Sequence, residues 1–342
     1  MKAVLYTGPR EFSVTDIPVP DVGPSDVLIE IDRTGVCGTD LHLHEGNFGA
    51  VFPLTTGHET VGTVAALGDQ VDHLTVGELV TVNPNIPCGR CQYCLSGRTI
   101  LCGSAGGLGA NLPGFFAEYS CVDGRQVFSV EGLDLDTAVF TEPAACAMHG
   151  LETLDVRPGS SALVIGAGPT GQLLAQLIAS GGASSVTVAG PSAFKLAAAV
   201  ALGASATVQI SRDDPAGNIA ALVAASPRGD GYDIVVEATG ATAVGDICVP
   251  LTRNGGTVLV YGVTGYDDLV HFSPYDVFRR EITIKGSFAE MTSFGATIDA
   301  LRAGRVRTDG LITHRFGLDD YGAALEALRS DPTAHKVIIS SR

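Results

Sequence analysis

The chain has 342 residues, more than one hydrophobic core usually supports, so two domains are expected. It carries 21 Lys and Arg against 37 Asp and Glu, a formal net charge of −16, which repels phosphate backbones and anionic lipid and argues against nucleic acid or a membrane as partner. No apolar run approaches the roughly 20 residues that span a bilayer, and the N-terminal MKAVLYTGPREF lacks the basic-then-apolar order of a leader. A cytoplasmic location is therefore expected, in which closely spaced cysteines point to metal before disulfides.

In chain order, the first 150 residues read as short β-runs, DVLIEID, VGTVAAL and ELVTVN, separated by Pro, Gly and Asp clusters. Within them TGVCGTDLHLHEG and TTGHETVG set Cys37 and His58 beside glycines, and TEPAACAMHG sets Glu142 beside Pro143. Each is a possible metal ligand. Each also has an ordinary reading, as a packed thiol, a satisfied polar side chain, or an acid in the first turn of a helix.

CGRCQYCLSGRTILC places Cys88, Cys91, Cys94 and Cys102 within fifteen residues. Four thiolates fill a tetrahedral zinc shell and leave no position for substrate, so the cluster predicts a structural zinc rather than a reaction centre. Gly89 and Gly97 supply the turns. Cys121, Cys146 and Cys248 read as ordinary buried or half-buried thiols.

Near residues 150 to 158 the texture changes to strand and helix in alternation, the pattern of a parallel α/β sheet. The apolar run SALVIG leads into Gly166, Gly168, Pro169, Thr170 and Gly171, then the helical QLLAQLIAS. GxGxxG between strand and helix is the dinucleotide fingerprint: a tight turn, a close approach to pyrophosphate, a helix packed on a strand. The next strand, SSVTVAG, ends at Gly190, where an acid would hold the ribose 2′-hydroxyl of NAD. With no carboxylate there, Ser192 as donor and Lys195 as cation favour NADP over NAD. YDIVVEATG, GTVLVYGV and ITIKGS continue the sheet, and GTVLVYGV hints at an edge strand that could pair across subunits. TIDALRAGRV, YGAALEALRS and KVIISS look like a return to the first domain. No internal repeat or low-complexity linker is evident.

With these residues in place, the chain resembles the zinc-dependent alcohol dehydrogenases of the medium-chain dehydrogenase/reductase superfamily over almost its whole length, closest to their polyol and sorbitol branch. The resemblance implies an α/β protein with a GroES-like β-rich catalytic domain at 1–152 and 288–342 and a Rossmann doubly wound parallel-sheet domain at 153–287. It implies two zinc ions, a catalytic one on Cys37, His58 and Glu142 with Glu59 as companion or exchangeable ligand, and a structural one on Cys88, Cys91, Cys94 and Cys102. Thr39 would take the substrate proton, His42 would pass it to solvent, and Asp40 would orient a neighbouring histidine. Thr239 and Val263 fall on nicotinamide-side loops.

The implied activity is reversible hydride transfer between a secondary alcohol or polyol and NAD(P), in a homotetramer or dimer. Leu43 and Ala289 stand where sorbitol dehydrogenases carry a tyrosine and an arginine, so sorbitol itself is not the expected substrate. Two rivals are a threonine or amino-alcohol dehydrogenase, which shares CGTDLH and both zinc sites, and a catalytically silent nucleotide-binding protein of the same fold.

Overall fold

The structure, a computed structural model, describes residues 1–47 and 49–341. It divides into two compact units. One comprises Met1–Ala145, Glu290–Arg302 and Gly310–Arg342, the other Cys146–Ala289 and Ala303–Asp309. The division after Ala145 falls within the helix Thr141–Leu154, before the change of texture at 150 to 158 and seven residues before the boundary after 152 that the resemblance implies, because a helix carries the chain from one unit to the other and leaves no Gly/Pro linker to read. The second departure is Ala303–Asp309, a short excursion inside the expected return. Arg307 there exchanges hydrogen bonds with Gln176 and donates to the Ala201 carbonyl, which ties the segment to the second unit.

The first unit is built on a seven-stranded sheet. In spatial order its strands are Ile312–Gly317, Lys336–Ser340, Asp26–Val36, Glu59–Leu67, Leu79–Val82 and Val127–Ser129, with Tyr119–Asp123 also paired to Asp26–Val36. Asp26–Val36 alternates inward Val27, Ile29 and Ile31, all fully buried, the period-two pattern of a strand against a core. Its far end is flanked on one side by Glu59–Leu67, register Gly35↔Glu59, and on the other by Lys336–Ser340, register Val36↔Val337. Three strand ends distant in sequence thus converge at Cys37, His58 and Lys336.

The second unit holds a six-stranded parallel sheet in the order Ala206–Gln209, Ser185–Gly190, Ser161–Ile165, Tyr232–Glu237, Thr252–Val260, Thr283–Gly286. Strand order reverses between Ser161–Ile165 and Tyr232–Glu237, the switch point where doubly wound sheets bind dinucleotides. Ser161–Ile165 is buried at every position, as a strand covered on both faces must be. GTVLVYGV is not the edge. Thr257–Val260 pairs outward with Thr283–Gly286, and that later strand is the outermost. No helix among the described residues is long and apolar enough to cross a membrane.

Candidate active site and metal centres

Cys37 ends the Asp26–Val36 strand and precedes the short helix Gly38–His44. Asp40, on the first turn of that helix, accepts the Cys37 backbone N–H through Oδ2 at 2.8 Å, so one side chain fixes both the helix start and the cysteine. His58 precedes the strand Glu59–Leu67 across the sheet. Cys37, His58 and Glu59 bring their ligand atoms within 4.8 Å of one another.

Asp40 is fully buried and its Oδ1 has no hydrogen-bond partner among the described residues. It faces His58 Nδ1 at 3.9 Å. Burial pushes the Asp40 carboxyl up. Burial alone would push the His58 imidazole down, but the Cys37 side chain and the charges of Asp40 and Glu142 hold it well above its ordinary value. The pocket is thus arranged to hold positive charge.

A sulfur, an imidazole whose Nδ1 faces a carboxylate, and nearby carboxylates are a donor set suited to zinc. Glu142 is buried at the start of Thr141–Leu154. It lies outside the compact trio, near enough for its charge to act on His58. Thr39 and His42 are three residues apart on Gly38–His44 and both half-buried, and the Cys37 thiol contacts Thr39 Oγ1 at 3.8 Å.

Lys336 is the residue of this site that sequence reasoning missed. Its ammonium donates to both Glu59 oxygens, at 2.8 and 2.6 Å, and the two side chains are 5% and 1% exposed. Burial pushes the Lys336 ammonium down, while Glu59 and then Cys37 more than reverse this, so its pKa is raised. The only signal was a lysine opening an otherwise apolar strand, KVIIS.

The structure brings the four cysteines of the lobe together. The four sulfurs lie within 4.8 Å of one another, with Sγ–Sγ distances of 3.5 Å for Cys91–Cys94 and 3.9 Å for Cys88–Cys94. These bracket the separation of about 3.8 Å set by tetrahedral zinc–thiolate bonds of about 2.3 Å. Backbone N–H groups of Arg90 and Cys91 bring the Cys88 thiol down to about 6 and that of Cys94 lowers Cys91, while burial and then the Cys91 side chain push Cys94 up to about 12. Gly89 and Gly97, at φ of 70° and 75°, turn the chain where L-residues are strained. Of the remaining thiols, Cys248 is buried and Cys121 and Cys146 are half-buried.

In the second unit each fingerprint glycine has a distinct reason. Gly166 has φ 130°, and a Cβ there would lie 2.6 Å from the Ala238 carbonyl oxygen. Gly168 caps the helix Pro169–Ser180, with Pro169 and Thr170 in its first turn, and nothing occupies the space of its absent Cβ. A Cβ on Gly171 would lie 2.0 Å from Gly166 O, the close helix-to-turn packing expected. The helix N-terminus with an open glycine before it fits a pyrophosphate.

At the end of the next strand Gly190 is buried. Ser192 Oγ accepts the Lys195 backbone N–H at 3.4 Å, which leaves the hydroxyl proton available to donate. Burial and the nearby Arg212 lower the Lys195 ammonium. Arg212, beyond the neighbouring strand, is therefore a second cation of this corner, which the sequence did not disclose. Thr239 and Val263 lie on the loops after Tyr232–Glu237 and Thr252–Val260, both exposed.

Residues 23–132 match the family model described as alcohol dehydrogenase GroES-like domain, and residues 169–303 the one described as zinc-binding dehydrogenase. D-arabinitol dehydrogenase 1 of Uromyces fabae is 40% identical over 331 residues, 96% of this chain and 94% of that protein. D-altritol 5-dehydrogenase of Agrobacterium fabrum is 31% identical, covering 98% of each chain. L-threonine 3-dehydrogenase of Escherichia coli is also 31% identical, covering 96% of this chain and 95% of that protein. Among solved structures, a Sinorhizobium meliloti protein with NADP bound superposes with a TM-score of 0.92 at 32% identity, covering 99% and 98% of the two chains.

Proposed function

The chain belongs to the zinc-dependent alcohol dehydrogenases of the medium-chain dehydrogenase/reductase superfamily, on their polyol branch, and from that premise we propose that its substrate is an acyclic pentitol or hexitol, oxidised at a secondary hydroxyl with NADP. The enzyme transfers a hydride between a secondary alcohol or polyol and a nicotinamide cofactor. The grouping of Cys37, His58 and Glu59 within 4.8 Å carries the reading, because a silent relative would have no reason to keep a sulfur–imidazole–carboxylate pocket. The 40% identity to a D-arabinitol dehydrogenase, against 31% to threonine dehydrogenases, favours the polyol over the amino alcohol.

In this proposal Cys37, His58 and Glu142 hold the catalytic zinc, Glu59 stands by as companion, and Cys88, Cys91, Cys94 and Cys102 hold the second ion. When bound, the catalytic zinc supplies a Lewis acid for the substrate oxygen. Asp40 Oδ1 faces His58 Nδ1 at 3.9 Å and would orient the ring by its charge, leaving the other nitrogen for the metal. Thr39 Oγ1 would accept the hydroxyl proton as it passes its own on toward His42, which would release a proton to solvent. Leu43, fully buried, offers the substrate no polar grip.

The helix at Gly168 would hold the pyrophosphate, and Ser192, Lys195 and Arg212 would support the 2′-phosphate of NADP, with Thr239 and Val263 toward the nicotinamide half. The outer strand Thr283–Gly286, with Leu269, Tyr275, Phe278, Ile284 and Phe288 exposed on and near it in sequence, supports assembly of copies through this edge, as a dimer within a homotetramer. A cytoplasmic location goes with this reading.

The test is a steady-state screen of pentitols, hexitols, simple diols and L-threonine, each with NADP and NAD, together with zinc analysis. Highest kcat/KM for a polyol with NADP and two zinc per chain is expected. A preference for L-threonine would replace the polyol assignment, and a single zinc with no turnover would favour the silent protein.

A further inference from the structure

Glu237 closes the strand beside the fingerprint strand, in register with Ile165. It is 3% exposed, and among the described residues its carboxylate accepts hydrogen bonds only from its own loop. Oε1 accepts the Thr239 and Gly240 N–H groups at 2.7 and 3.0 Å and the Thr239 hydroxyl; Oε2 accepts Gly240 N–H at 3.2 Å. Its carbonyl accepts Tyr261 and Gly262 N–H. A Cβ on Gly262 would lie 2.6 Å from Oε2, and one on Gly240, at φ 71°, 2.1 Å from the Val263 carbonyl oxygen. Gly262 thus leaves room for the carboxylate and Gly240 for the Val263 carbonyl, while the Glu237 backbone carbonyl ties the loop after its own strand to the loop after Thr252–Val260.

Among the described residues no cation forms an ion pair with Glu237. The ion pair of this strand, Arg253 with Asp233, lies at its other end. An unpaired buried charge is costly, and holding the loops together does not require one, since a neutral amide oxygen could accept the same three Oε1 bonds. The charge also reaches its neighbours, adding to the burial that pushes the Cys248 thiol up. It closes a strand at the switch point, where doubly wound sheets bind dinucleotides, on the loop that the proposed function sets beside the nicotinamide half.

We infer that Glu237 is a positioning residue that biases the bound cofactor electrostatically toward its oxidised form. The inference rests on the nicotinamide reading of this unit. The oxidised ring carries one positive charge, and addition of a hydride, one proton with two electrons, neutralises it. A fixed anion at this end of the sheet therefore favours NADP⁺ over NADPH by one unit-charge interaction. The loop geometry alone affects both forms equally.

The experiment measures Kd for NADP⁺, NADPH and 2′-phospho-ADP-ribose on the full-length, zinc-replete protein and on Glu237→Gln, which keeps the shape and removes the charge. The ratio Kd(NADP⁺)/Kd(NADPH) is expected to rise about fivefold in the variant, with 2′-phospho-ADP-ribose binding changed less than twofold. Glu237→Met, a second neutral side chain of similar length, should raise the ratio in the same direction and serves if Glu237→Gln does not fold. An unchanged ratio, or parallel weakening of all three ligands, overturns the inference and leaves Glu237 as a loop staple. Failure of the unaltered protein to bind either redox form would instead sink the cofactor reading.

Discussion

Lys336 and Glu59 are separated by 277 positions in sequence, yet their charged groups meet at 2.6 Å in a pocket from which both are excluded from water. Glu59 opens the strand paired with Gly35, and Lys336 precedes the residue paired with Val36, so the sheet register places an ammonium directly behind the Cys37 and His58 pair. Such a pair adds little net stability against an apolar substitute, but loss of one partner strands the other. Lys336→Ala is therefore expected to lower unfolding free energy by about 3 kcal/mol, measured by urea denaturation at neutral pH. Lys336→Met with Glu59→Gln should recover most of it. A loss below about 1 kcal/mol for the single variant would mean that the pair is hydrated in solution.

Gly35 has a steric reason specific to this pocket. A Cβ there would sit 2.0 Å from Glu59 Oε2 and 3.1 Å from Glu59 Cδ, so alanine must displace a carboxylate already held by Lys336. Gly35→Ala is expected to cut kcat/KM at least tenfold and to reduce zinc toward one ion per chain, with the cysteine lobe still loaded. Metal analysis beside activity checks this, and full activity with two zinc would show that Glu59 moves freely.

How much of this could be read in advance depended on whether the signal was local. Cys37, His58 and the cysteine lobe announce themselves through ligand type and neighbouring glycines, and the GxGxxG turn through its place between strand and helix. Lys336 did not, since its burial is set by pairing with a strand three hundred residues earlier, and KVIIS alone gives no hint that its first residue faces inward. Arg212 is hidden in the same way, because its nearness to Lys195 depends on the parallel pairing of Ser185–Gly190 with Ala206–Gln209. Ala303–Asp309 reads as a plain turn, and only the hydrogen bonds of Arg307 with Gln176 and Ala201 reveal its allegiance.

The cofactor corner offers a preference switch. Arg212→Ser with Lys195→Ala removes Lys195 and the charge that acts on it, and should raise KM for NADP at least tenfold while leaving NAD within about twofold. Gly190→Asp should favour NAD further, by placing a carboxylate where a 2′-phosphate would be repelled. Its Cβ would be 3.0 Å from Ala167 Cβ, so some loss of overall affinity is expected. Steady-state kinetics with both cofactors decides the matter, and an unchanged NADP to NAD ratio in the double variant would remove these residues from the specificity site.

The cysteine lobe and the reaction pocket should fail differently. Cys94→Ser removes one of four sulfurs spaced for a closed shell and is expected to lose one zinc and lower Tm, because a structural ion contributes folding energy. Cys37→Ser should lose turnover while cofactor binding persists. Tm, zinc content and NADPH titration on both variants separate the two roles, and equal effects on all three measures would show that the sites are not independent.

Glu290 supplies a pH signature. It is fully buried, with Oε1 accepting Asn85 Nδ2 at 3.0 Å and Oε2 accepting Asn83 Nδ2 at 3.3 Å. Burial first, and then the charge of Glu142, pushes its carboxyl up to about 8. A carboxyl that holds its proton more tightly when folded than when unfolded makes stability fall as pH rises between the unfolded value, about 4.3, and the folded one. The slope approaches 1.4 kcal/mol per pH unit inside that window and vanishes outside it. Glu290→Gln cannot titrate, so its unfolding free energy between pH 5.5 and 7.5 should be flatter than that of the unaltered chain, whatever its offset. Urea melts at three pH values across that range test this, and identical slopes would place Glu290 as an ionised carboxylate balanced by its two asparagines.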